Sequence, residues 1–166
     1  NVCGGRRNEH NHFVASVAAS YVAAHWPPSS KVIWSGYELG VMVQSGGATF
    51  QRCSAAKSRN PVKAAMVSYM GGPNRSRFSW DPLTTLVAAR GVEHVPSVAF
   101  CEGCDGVNLI DAKTGENRWV AGAPRNQTYL VLKDAKGAGD AIDRLLCQKP
   151  MLAWPRQQHA SDCSLA

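Results

Sequence analysis

Trp26-Pro27-Pro28 is the feature that most narrows what this chain can fold into. Two consecutive prolines remove two backbone donors and fix φ, so the stretch before them, Phe13 to His25, must end there if it is a helix. Its spacing predicts a helix with Phe13, Val14, Val17, Tyr21 and Val22 on one side. The other side, Ala15, Ser16, Ala19, Ser20 and Ala23, is small and implies close packing against another element. After the prolines, Lys31 to Ser35 is a short β-branched and aromatic run that reads as a buried strand. Gly36 then leads into a helical stretch, Tyr37 to Gln44, closed by Gly46-Gly47.

Residues 48–59 read as a polar connection. Asn60-Pro61 places an N-cap and a first-turn proline at the start of a helix to Met70. Gly71 to Arg77 reads as a loop, and Ser79-Trp80-Asp81-Pro82 opens a helix that runs to Arg90 and stops at Gly91. After Pro96 the pattern becomes β-rich: Ser97–Cys101, Val107–Asp111, Arg118–Ala121 and Thr128–Lys133 read as strands, with a turn at Lys113-Thr114-Gly115. A last helix, Ala138 to Gln148, turns Ile142, Leu145 and Leu146 inward and Asp140, Asp143 and Arg144 outward. Helices alternating with a buried strand imply an α/β layer fold, a single unit over residues 1–148 with a tail at 149–166.

The uncharged stretch from Phe13 to Trp26 is shorter than the roughly 20 residues of a membrane span. The net charge of +6 is carried by scattered basic residues, so it describes a soluble basic surface better than a nucleic-acid groove. Six cysteines permit up to three disulfides. Only Cys101-Glu-Gly-Cys104 has short spacing. It admits half a zinc site, a redox dithiol, a local disulfide or plain thiols; no second ligand pair supports zinc, and the following Asp105-Gly106 turn is not the helix a redox dithiol precedes. The start at Asn1 rather than Met reads as either a processing site or the edge of a fragment, and a processed start would suggest an organellar or secreted location.

Two clusters carry candidate chemistry. Glu9-His10-Asn11-His12 places a carboxylate and an amide two residues apart; in an extended segment both would face one polar ligand, such as a pair of sugar hydroxyls. His10 and His12 lack a third metal ligand. Ser79-Trp80-Asp81-Pro82 puts a carboxylate at a helix start, where it serves as a cap or as a calcium ligand.

These pieces follow in one order: Glu9-His-Asn11; Trp26-Pro-Pro and Val32-Ile-Trp-Ser-Gly-Tyr-Glu-Leu-Gly40; Asn60-Pro-Val-Lys-Ala-Ala65; Ser79-Trp-Asp-Pro-Leu-Thr-Thr-Leu-Val-Ala-Ala-Arg-Gly91; Asp111-Ala-Lys-Thr-Gly-Glu-Asn-Arg-Trp119; and Tyr129-Leu-Val-Leu-Lys133. In that order they resemble the carboxyl-terminal half of the inosine–uridine-preferring nucleoside hydrolase family. The resemblance implies a partial, Rossmann-like α/β fold, with helices around a short sheet. It also implies a reaction, cleavage of the N-glycosidic bond of ribonucleosides, in which calcium holds the ribose hydroxyls and the attacking water. By motif, Glu9 and Asn11 match the ribose-gripping pair and Asp81 a calcium-binding aspartate. Trp80 stands at the leaving-group pocket where many members carry a histidine. Asn1 matches an upstream sugar-binding asparagine, with two residues more in the spacing.

The family's other calcium ligands and its general base lie in an Asp-x-Asp motif near its amino terminus, and this sequence contains no Asp-x-Asp. Asp81 alone does not supply the 6–8 oxygens calcium takes. The expectation is therefore a chain that is inactive by itself and has a sheet face covered by another protein chain. It is foremost a non-catalytic structural or accessory subunit of a larger assembly. The alternatives are the processed half of an active calcium-dependent ribonucleoside N-glycosidase, paired with its amino-terminal half, and a nucleoside-binding module.

Overall fold

The computed structural model describes residues 9–51, 60–122 and 126–148. Asn1 and the tail at 149–166 lie outside them, as do Cys3, Cys53 and Cys163. The described chain is mixed α/β. In order it forms α1 (His10–Val14), α2 (Ser16–His25), β1 (Val32–Trp34), α3 (Tyr37–Met42), β2 (Gln44–Gly46), α4 (Gly47–Gln51) and α5 (Pro61–Met70). There follow β3 (Ser76–Phe78), α6 (Trp80–Arg90), β4 (Val98–Phe100), β5 (Gly106–Ile110), β6 (Asn117–Ala121), β7 (Gln127–Leu132) and α7 (Ala135–Leu146).

β7 is the hub of a five-stranded mixed sheet. It pairs in parallel with β1 and antiparallel with β4 and with the start of β5; β5 pairs antiparallel with β6. β1 is therefore an edge strand among the described residues. One face of the sheet is closed by α3, α6 and α7, whose Leu39, Leu83, Leu86, Val87, Ala138 and Ile142 form a continuous core with Val43 just after α3 and with Val98 and Leu130. The period-2 alternation of a strand turns Tyr129, next to Leu130, to the opposite face, where it meets Trp119 edge-on at 5.0 Å.

On that opposite face α1 and α2 are pinned to the β5–β6 turn. Asp111 accepts N–H bonds from Lys113 and Thr114, Gly115 takes φ +75°, and α1 lies so close that a Cβ at Gly115 would come within 2.7 Å of Phe13 Cα. Ser16 donates its hydroxyl to the Ala112 carbonyl at 2.8 Å. The small side of the helix is turned inward, with Ala23 buried and Ser16, Ala19 and Ser20 half-buried. The large apolar side faces outward: Phe13, Val14, Val17, Tyr21 and Val22 are all exposed, Val17 at 70%.

Elsewhere the helix signals read from the sequence are met. The Asn60 side chain accepts from Val62 and Lys63 N–H, Pro61 follows, and Gly71 ends α5 at φ +69°. α6 runs to Arg90 and ends at Gly91. Five expectations are corrected. The run read as a buried strand is the edge strand β1, with Ile33 exposed, and residues 48–51, read as part of a polar connection, belong to α4, where Phe50 is buried. The first helix is broken at Ala15, which has φ −138° and ψ 53°. The segments around Gln44 and Ser76, read as a helix end and a loop, pair as β2 and β3, and the Gln44 and Ser76 side chains hydrogen-bond each other. Asp143, expected outside, is buried and accepts the Gly46 N–H at 2.9 Å; burial raises its carboxyl above the ordinary range, against the effect of that bond.

Leu83 is fully buried where α6 meets the core. Leu83→Ala is expected to lower unfolding stability by about 2–5 kcal/mol, read from denaturant melts. A loss below about 1 kcal/mol would mean that this core is not the packed centre of the fold.

Candidate functional site

Glu9 precedes α1, and its carboxylate crosses to α3, where Oε1 accepts the Tyr37 N–H at 2.7 Å. Tyr37 opens α3, so the carboxylate satisfies one of the amides that have no partner within the helix. Burial raises the Glu9 carboxyl above its usual range; the Tyr37 bond opposes this and the nearby Glu38 carboxylate reinforces it.

Trp80 reaches the same residue from the other side. Its Nε1–H donates to the Tyr37 carbonyl at 3.0 Å, and its ring lies 5.6 Å from the Tyr37 ring and 5.3 Å from Phe78. Gly40 permits this approach, since a Cβ there would come within 2.2 Å of Trp80 Cδ1. The indole N–H is thus already engaged with the backbone. Trp80 acts here as a packing anchor between α3 and α6, not as a free donor toward a leaving group.

The structure therefore brings Glu9 and Trp80 to the two backbone polar groups of one residue. It does not bring Asn11 or Asp81 into that arrangement. Asn11 was expected to face the same way as Glu9 in an extended segment, but α1 begins at His10, and helical residues two apart do not share a face. Asn11 is exposed. Asp81 is also exposed, in the first turn of α6. It borders a groove of about 520 Å³ between α6 and α7, lined by apolar residues such as Leu86, Ala89, Ile142 and Leu146. Among the described residues no three His, Cys, Asp or Glu side chains are grouped to share a metal ion. Asp81 as placed does not by itself fit calcium, which takes 6–8 oxygens.

A buried polar layer between the sheet and α1 was not anticipated. Gln127 Oε1 accepts both the Trp34 indole N–H at 2.9 Å and the Asn108 backbone N–H at 3.0 Å. Asn117 Nδ2 donates to Asn108 Oδ1 at 3.0 Å. Asn108 is only 2% exposed, and its Nδ2, like Trp119 Nε1, meets no protein acceptor. His12 closes the layer from α1, its ring edge-on to Trp34 at 6.0 Å. Burial lowers the His12 pKa, so a neutral ring is favoured under the helix. The sequence signal for this layer is a single amide in each of three strands, Asn108 in β5, Asn117 in β6 and Gln127 in β7.

No family model matches the chain, and no curated protein or solved structure does.

Glu9→Gln preserves an oxygen that can accept the Tyr37 N–H while removing the buried charge. Because the Glu9 pKa is raised in the folded state, the wild type loses stability as pH rises through that pKa. The Gln variant is thus expected to equal or exceed the wild type in thermal stability at neutral pH. Its advantage should shrink below pH ~4, where the unfolded carboxyl is protonated as well. A clear destabilisation at neutral pH would show instead that the charge itself supports α3.

Proposed function

We propose that this chain is a nucleoside-hydrolase-like subunit that works without catalysing, by packing against another protein chain in a larger assembly. The observation that carries this reading is the orientation of α1 and α2. Their small residues are against the sheet, and five large apolar side chains, Phe13, Val14, Val17, Tyr21 and Val22, are turned to the outside. A helix that only needed to cover a sheet would bury the opposite side.

The candidate catalytic residues support the non-catalytic part. The pair that would grip a ribose is split, with Glu9 bonded to Tyr37 and Asn11 exposed on α1. Trp80 has its N–H on a backbone carbonyl.

Energetics say where the partner must bind. Covering the remaining exposed area of each of these side chains contributes on the order of 1 kcal/mol, so together they contribute about 5 kcal/mol. Association costs roughly 4–15 kcal/mol in lost freedom, so the helix face alone only approaches the low end. The β1 edge supplies the rest. Its backbone groups on the side away from β7 have no strand beside them among the described residues, and β1 lies in a parallel pair that a further strand would extend. The fitting partner is therefore a chain that adds a strand to β1 and lays an apolar surface on α2, as the family's amino-terminal half would.

The test is light scattering after size exclusion, on the full chain and on Val17→Glu/Tyr21→Glu. The wild type is expected to self-associate or to carry a second chain, and the variant to run as a monomer with an unchanged far-ultraviolet spectrum. A wild type that is a monodisperse, stable monomer would defeat the proposal. Calcium-dependent release of free base from a nucleoside, when an amino-terminal half is supplied, would replace it with the catalytic-half reading.

A further inference from the structure

β4 and β5 both run antiparallel to β7, one after the other along it. Phe100 stands opposite Leu130 and Gly106 opposite Gln127. From Phe100 to Gly106 is six residue steps, while from Leu130 to Gln127 is three, so three residues are surplus on the β4–β5 side. That excess is looped out of the sheet, and Cys101 and Cys104 close its neck with a disulfide across a Cα–Cα distance of 5.4 Å. The last rung before the loop is the bond from Cys101 N–H to the Tyr129 carbonyl at 2.9 Å, and after it Asp105 accepts the Gly122 N–H at 2.9 Å. The loop is thus clamped at both ends by the backbone and at its neck by the two sulfurs.

We propose that Cys101 and Cys104 form a reversible thiol–disulfide pair, opened by a dithiol reductant, that sets how firmly β4 is held against β7. Three features support this. Glu102 and Gly103 at the tip are exposed and both cysteines are partly so, which leaves the sulfurs open to an attacking thiolate. The closed loop holds only two intervening residues, so the bond constrains the unfolded chain little, and breaking it does not threaten the whole fold. The loop interrupts a strand and does not lie at a chain end, so freeing its neck acts directly on a sheet rung.

The exchange balances without any further reagent. A reductant thiolate attacks one cysteine sulfur, the Cys101–Cys104 bond breaks, and a mixed disulfide forms. The displaced cysteine leaves as a thiolate and takes up a proton. The reductant's second thiol then displaces the other cysteine. The protein ends as a dithiol, having gained two electrons and two protons, and the reductant ends as its disulfide.

Opening the neck releases Phe100 and Cys101 from fixed register. Phe100 carries the Lys31 ammonium over its ring at 4.4 Å, and Lys31 immediately precedes β1, so loosening is transmitted to the opposite edge of the sheet.

The test combines differential alkylation, read peptide by peptide, with hydrogen exchange of the full chain. Under native conditions dithiothreitol is expected to open Cys101–Cys104 with the far-ultraviolet spectrum unchanged. The amides of Val98 to Cys101 should then exchange at least about tenfold faster, as for a local opening. Cys101→Ser/Cys104→Ser should reproduce that change with no reductant, which separates it from the disulfide at Cys147. A pair that stays closed until the chain unfolds would overturn the proposal. So would a pair that opens with β4 exchange unaltered, or one recovered as free thiols without any reductant.

Discussion

Six residues, Gln127 to Leu132, hold the sheet together. β7 is paired to β1 over its first half, to β5 at Gln127 and to β4 over its second half, and every other strand of the main sheet except β6 joins through it. Its side chains divide the molecule as well. Leu130 enters the apolar core with α3, α6 and α7, while Gln127 and Tyr129 face the polar and aromatic layer under α1 and α2. The two faces are therefore built by different physics. One excludes water around aliphatic side chains; the other is held by hydrogen bonds between Trp34, Gln127, Asn108 and Asn117.

That difference explains the position of α2. A helix packed against amides and indoles through alanines and serines comes close to the sheet but buries little apolar area of its own. Its large side chains are left on the outer side. A protein stable to a few kcal/mol does not ordinarily turn such a surface to water without a use for it. Glu9 and Trp80 both meet Tyr37, where they act as structural partners of α3.

Much of the fold was legible because local signals agreed with the tertiary outcome. Asn60-Pro61 with Gly71 bounds α5 by its caps, and α6 ends at Gly91 although Ser79 gives no side-chain cap at its start. The four strands after Pro96 alternate or run apolar between turn residues. The first helix was legible as two-sided, and the inward side is the small one. The β2–β3 pair was not legible, because Gln-Ser-Gly and Ser-Arg-Phe carry no alternation. It exists through side chains distant in sequence, among them Asp143 on the Gly46 N–H and Ser45 against Ser79 at 2.6 Å. The candidate site misled for a related reason. Glu9-x-Asn11 reads as one gripping pair only if the segment is extended, and a helix beginning at His10, three residues before Phe13, separates them. The Cys101–Cys104 disulfide was among the readings its spacing allowed; the strand register added the surplus loop that gives it a consequence.

If the outer side of α2 is an interface, its side chains must touch a second chain. A photo-crosslinking residue placed at Val17, compared with one placed at exposed Arg90 on α6, tests it most directly. Crosslinks to a second chain are expected from position 17 and none from position 90. Equal crosslinking from both positions, or none from position 17 under conditions where the chain is folded, would contradict it.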